Sequence, residues 1–253
     1  MNKIYRLLLR VSVFLAGMNG ITANAQNLKV AIAANLQPVM KVLQEDFTKR
    51  TGIIVDAISG PSGNLTTQIK NGAPFDVFLS ADMGFPQELF KSGLAVQKPV
   101  VYASGALIIC STQKLDFNNW QKLLSAASIE KIAIGNPEIA PYGKAAEEAL
   151  KYERVYDKMK DKIVLGESIT QVNTYITTGV VQVGFTTLSL VKDADIKTKL
   201  YYKVVNPKTY KPIEQSMVLV KQKQINPQAE KFYRYILSAP AKKIFTRFGY
   251  KVN

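Results

Sequence analysis

Two spacings organise the apolar positions of this chain. Short apolar runs of strand length recur, and after most of them the apolar residues return every three or four positions. Leu28 to Ala34 is the first run. The stripe Leu36, Val39, Met40, Leu43 and Phe47 then predicts a helix capped by Asn35, with Pro38 tolerated in its first turn and Gly52 closing it. Ile53 to Ile58 and Asp76 to Ser80 predict two more strands. Between them lie a turn at Gly60 to Gly63 and a short helix from Asn64 to Asn71, stopped by Gly72. Strands and helices in strict alternation, joined by short turns, predict an α/β fold built of βαβ units on a parallel sheet.

The pattern breaks and restarts. Strands are expected at Ala106 to Ser111, Lys131 to Ile134, Ile163 to Leu165 and Val181 to Phe185. Helices are expected at Trp120 to Ala127, Lys144 to Val155 and Ile169 to Thr178, the last capped by Ser168. Ser216 to Val220 is a further strand, and the tail is helical from Asn226, with a restart at Ser238 to Pro240. Tyr201, Tyr202 and Tyr210 alternate with Lys203, Lys208 and Lys211, but Pro207 and Pro212 break that segment, which reads as a solvated loop. No Gly/Ser linker separates the halves. We therefore expect two lobes joined by crossing strands: residues 26–104 with 217–253, and residues 105–216.

Composition narrows the function. The 253 residues include no His and one Cys, so a Ser-His-Asp triad, a His-ligated metal, an internal disulfide and a CxxC pair are excluded. Cys110 lies in an apolar run and reads as a buried strand thiol. Lys3, Arg6 and Arg10 precede a short apolar run, Val11 to Met18, and the small residues Ala23 and Ala25 follow. That is the pattern of a cleaved export signal over residues 1–25, and the run is too short to span a bilayer. The formal charge of +14 (33 Lys+Arg, 19 Asp+Glu) points to an anionic partner. Losing three of those cations with the signal leaves 30 − 19 = +11 on a chain of 253 − 25 = 228 residues. We expect a periplasmic location.

Four loops open helices at the carboxyl ends of strands, where α/β sheets bind ligands: Ala34–Asn35, Pro61–Gly63, Ala140–Gly143 and Glu167–Ile169. Helix N-termini present unpaired N–H groups and partial positive charge. The side chains there, Asn35, Ser62, Tyr142 and Ser168, can donate hydrogen bonds, and no Lys or Arg lies in the loops. Each loop taken alone also reads as ordinary cap chemistry. Together they suit a dehydrated oxyanion held by neutral dipoles. Glu147 and Glu148 read as a solvated helix face, and Asp76 and Asp82 as turn caps. The rival readings are an exported enzyme and a cationic protein that binds polyanions.

Several motifs resemble the molybdate-binding proteins of bacterial ABC transporters. They are Val30 to Leu36 (VAIAANL), Gln68 to Asp82 (QIKNGAPFDVFLSAD), Gly135 to Gly143 (GNPEIAPYG), Val183 to Ser189 (VGFTTLS) and Phe245 to Tyr250 (FTRFGY). The resemblance implies a two-lobed type II periplasmic binding fold, each lobe a mostly parallel sheet flanked by helices, with the ligand in the cleft. It implies a non-enzymatic monomer that binds molybdate or tungstate without a cofactor and serves a membrane permease, with no nucleic-acid partner; sulfate is the alternative oxyanion. It places ligand contacts, and so molybdenum only as molybdate, at Asn35, Ser62, Tyr142 and the Ile169 N–H. Ala34, Gly63, Ser168 and Thr187 are further positions; Ala34 lacks the hydroxyl some relatives carry there. A Tyr that other members place near Thr187 is replaced here by Tyr142, where they have Ala. Glu138 and Glu167, the nearest acidic residues, are expected to face outward.

Overall fold

The computed structural model describes residues 27–224 and 226–252. The expected export signal lies outside them. The first sheet opens with β1 (Leu28–Ala33), which pairs in parallel with β2 (Val55–Gly60) and β3 (Val77–Ser80). Its order is β2-β1-β3-β10-β4, with β4 at Val100–Gly105 and β10 at Ile213–Leu219. The second sheet has the order β7-β6-β8-β5-β9, from β5 (Leu107–Ser111), β6 (Ile132–Gly135), β7 (Ile163–Gly166), β8 (Val183–Thr187) and β9 (Tyr201–Val204).

Each sheet is mostly parallel with one reversed strand, β10 in the first and β5 in the second. Both reversed strands are those the chain enters on crossing between sheets. A strand leaving one sheet at its cleft end must run away from the cleft in the other. Only Ala106 separates β4 from β5; the return runs from Val205 to Pro212 through a 3-10 turn, Pro207–Thr209.

Helices cover the sheets: α1 (Gln37–Thr51), α2 (Ser62–Lys70), α3 (Gly84–Lys91), α4 (Trp120–Leu124), α5 (Pro141–Tyr152), α6 (Tyr156–Met159), α7 (Ile169–Thr177) and α8 (Leu188–Lys192). The predicted stripe of α1 is buried, and Gly52 ends the helix at φ 71°, returning its N–H to the Thr48 carbonyl at 2.8 Å. The tail forms α9 (Pro227–Ile236) and α10 (Ala239–Arg247). Phe232 and Tyr235 pack on Phe47 of α1 with ring centroids 5.1 Å apart, so the tail rests on the first sheet's layer. Cys110 is fully buried, and burial pushes its thiol up to about 12.

Several expectations need correction. Asn35 does not cap α1: a 3-10 turn, Ala34–Leu36, precedes it, and Leu36 is the cap residue. The helix expected from Lys144 starts at Pro141 and stops at Tyr152, before Arg154 at φ 57°. The helix expected to reach Ala127 ends at Leu124, and the strand expected from Ser216 begins at Ile213. Tyr201–Val204 is not a loop but a strand paired with β5, and Tyr210 is buried, its hydroxyl accepting from Leu107 N at 3.2 Å. As a sheet edge, β9 leaves Tyr202 and Val204 exposed, and the prolines that follow it resemble a loop.

Candidate functional site

Four first turns meet where the sheets face each other: the Ala34–Leu36 turn after β1, α2 after β2, α5 after β6 and α7 after β7. They enclose a cavity walled by Ala34, Asn35, Ser62, Ala81, Tyr142 and Ile169, among others. Its volume is about 10 Å³, room for roughly one water. Organic ligands of drug size occupy pockets of about 300–1,000 Å³, so this one suits a compact ligand. No charged side chain lines it. Glu138 and Glu167 are exposed, as expected.

Ser62 is the first residue of α2 and 1% exposed. Its Oγ accepts from Ala81 N at 3.2 Å, and its own proton meets no acceptor among the described residues. Tyr142 is also 1% exposed. Its hydroxyl accepts from Thr187 Oγ1 at 3.2 Å and pairs with the Tyr250 hydroxyl, a partner it would exchange for a ligand oxygen on donating into the cavity. Burial raises Tyr142 well above the ordinary tyrosine value, so it stays a neutral donor. Ile169 opens α7 and is buried; its N–H belongs to a first turn that has no acceptor within the helix.

The Asn35 side chain has a different task. Its Nδ2 donates to Gln215 Oε1 and to the Tyr250 hydroxyl, both at 2.9 Å, so both amide hydrogens are used inside the frame. The Tyr250 hydroxyl in turn donates to the Asn35 carbonyl at 2.9 Å, and Ser189 Oγ donates to the same carbonyl at 3.1 Å. The Gln215 Nε2 donates to Ala81 O at 3.3 Å. What Asn35 presents to the cavity is its backbone.

Of the further positions, Ala34 lines the cavity while Gly63, Ser168 and Thr187 do not. The Gly63 N–H donates to Ile139 O at 3.1 Å, tying the two halves together. Ser168 Oγ accepts from Gln171 N at 3.2 Å as the cap of α7. Thr187 stands behind Tyr142. Asp82 accepts from Ser80 Oγ at 2.9 Å and Phe85 N at 3.3 Å, and Asp76 accepts from Lys29 N at 2.8 Å, so both act as caps and braces. Sequence reasoning did not pick out Gln215, Ser189 or Tyr250. Gln215 carried no local signal, since it sits between Glu214 and Ser216 in the polar start of β10; for Tyr250 the signal was the tail motif that also carries the family resemblance.

Beside this cavity, a wider cleft of about 510 Å³ lies between α1 and α7. The Lys41–Asp195 ion pair, 2.9 Å long and exposed, and a Thr170 Oγ1 to Gln37 Oε1 bond of 3.1 Å border it. Such an exposed pair is screened by solvent and adds little to stability.

Residues 28–251 match the family of bacterial extracellular solute-binding proteins. The chain is 34% identical over 237 residues to the molybdate-binding protein ModA of Azotobacter vinelandii, covering 93% of this chain and 94% of that one. The solved A. vinelandii periplasmic molybdate-binding protein superposes with a TM-score of 0.85 at 33% identity, covering 90% of this chain and all of that one. The sulfate-binding protein SubI of Mycobacterium tuberculosis H37Rv superposes with a TM-score of 0.73 at 14% identity, over 90% of this chain and 87% of that one, a likeness of fold alone. The two mixed sheets with their flanking helices are thus the type II periplasmic binding fold. The chain belongs to the bacterial extracellular solute-binding protein family and groups within it with the ModA proteins.

Proposed function

We propose that this protein captures molybdate between its lobes in the periplasm and hands it to the membrane permease of an ABC transporter, acting as a monomer. One observation carries the reading: four first turns and two buried hydroxyls surround a small cavity that no charged side chain lines. A fully ionised tetrahedral dianion needs donors on every side, and a carboxylate facing it would be repelled. Ser62 and Tyr142 donate through their hydroxyls. Asn35 and Ile169 donate through backbone N–H groups, and Ala34 adds a backbone contact. Tungstate, of equal charge and similar shape, fits the same donors. Protonated phosphate would want an acceptor that this wall lacks. A donor-only wall without a general acid or base supports binding rather than turnover. The lobes are the two sheets with their helices: the chain leaves the first at Gly105 and re-enters it at Ile213, close to the expected bounds of 26–104 with 217–253 and 105–216, and the hinge lies where the strands cross.

Thermal denaturation of the mature chain with molybdate, tungstate, sulfate or phosphate tests the reading. Ligand at ~1,000 times its dissociation constant adds about 4 kcal/mol, which raises Tm by roughly 8–16 °C in a chain of this size. We expect that shift with molybdate and tungstate. Its absence with both would sink the reading, and a shift with sulfate alone would reassign the ligand.

A further inference from the structure

Tyr142 comes from the second lobe, yet its phenol lies against the backbone of Gly105 in the first. Gly105 is the last residue of β4, one residue before the chain crosses into β5. A Cβ there would overlap the Tyr142 hydroxyl, fall 2.9 Å from its Cζ and lie 3.3 Å from Gln215 Nε2. Gly105 is not among the residues with positive φ, so its backbone does not demand glycine; the close approach does. From the far side Thr187 Oγ1 reaches the same hydroxyl at 3.2 Å. The phenol is therefore clamped between β8 and a bare stretch of β4. The floor of the clamp is firm: Gln215 is fully buried and bonded to Asn35 and Ala81, beside a register shift of β10 against β4 at Gln215/Ser216.

We propose that Gly105 is a positioning residue of the oxyanion site: its missing side chain is the seat that lets the Tyr142 hydroxyl cross the cleft and donate to the ligand. The proposal rests on the molybdate reading above. It also makes the seat part of lobe closure, because one side of the clamp belongs to each lobe. Any side chain at position 105 would lift the phenol from its seat while leaving Ser62 and the backbone donors in place.

A double-mutant cycle on the full mature chain tests it, with molybdate affinity measured by titration calorimetry and folding by ligand-free thermal melts. Gly105→Ala and Tyr142→Phe should each weaken binding ~10-fold or more, the loss of one hydrogen bond to an anion. The double variant should bind no worse than Tyr142→Phe, because the donor is already gone and the remaining 2.9 Å approach to Cζ displaces only a ring that no longer donates. Wild-type affinity in Gly105→Ala, wild-type affinity in Tyr142→Phe, or losses that multiply in the double variant would each overturn the proposal. If Gly105→Ala does not fold, the same change in a Tyr142→Ala background decides: with the ring removed it must fold and bind like Tyr142→Ala, and failure of either contradicts the clamp. A wild-type chain that binds neither molybdate nor tungstate would instead refute the ligand reading, and this proposal with it.

Discussion

Replacing Ser62 with Ala separates two jobs that one hydroxyl performs. In the ligand-free protein Ser62 Oγ accepts from the Ala81 N–H at 3.2 Å. Both residues are nearly fully buried, Ser62 at 1% and Ala81 at 2% exposure, so no bulk water replaces the lost acceptor. Leaving a buried donor unsatisfied costs about 1–3 kcal/mol, which lowers Tm by roughly 2–12 °C at this chain length. The second job appears only with ligand. A hydrogen bond to a charged group contributes about 1.5–3 kcal/mol, so molybdate affinity should fall ~10- to 150-fold. Ligand-free melts report the first effect, and titration calorimetry with molybdate the second. A lower Tm with unchanged affinity would show that Ser62 only braces Ala81, and would remove the side-chain donor from the first lobe's half of the site.

Tyr250→Phe keeps the edge-to-face packing on Phe245, at 5.7 Å, but deletes the hydroxyl that holds both the amide and the carbonyl of Asn35. We expect a stability loss of about 1–2 kcal/mol and weaker molybdate binding, seen in the same two assays; unchanged affinity would mean the Asn35 turn holds itself. Because no Lys or Arg lines the cavity, affinity should change less than ~3-fold between ~50 and ~200 mM salt, where a polyanion binder making many phosphate contacts loses ~10³ or more. The chain has no His, and burial raises Tyr142 and Tyr250 above 10.0. Affinity measured from about pH 6 to 9 should therefore be flat. These tyrosines hold their protons more tightly folded than unfolded, so their contribution to stability is complete below about pH 10 and declines as pH rises through the folded values. A titration near neutrality in either affinity or stability would contradict this.

Much of the site was legible because its physics is local. A helix opening after a strand exposes N–H groups whatever the rest of the chain does, and the loops at Asn35, Ser62, Tyr142 and Ile169 were readable from turn and cap residues alone. The role of the Asn35 amide was not. Its partners, Gln215 and Tyr250, are 180 and 215 residues away, and nothing near Asn35 distinguishes a donor aimed at a ligand from one used by a distant strand and the tail. Gly63 shows the same limit: a turn glycine in sequence, it spends its N–H on Ile139 of the opposite lobe. The strands that escaped notice, β4 and β9, both lie beside a crossing between the sheets, and each pairs only with a strand about a hundred residues away. Gly105 closes β4 and was invisible for that reason.

The most direct test of the account is an anomalous-difference map from crystals of residues 26–253 grown with molybdate. We predict one molybdenum peak in the cavity between the first turns of α2, α5 and α7. Its oxygens should lie at ~2.7–3.2 Å from Ser62 Oγ, the Tyr142 hydroxyl and the N–H groups of Asn35 and Ile169. A peak in the wider cleft beside Lys41 and Asp195, or none at saturating molybdate, would contradict it.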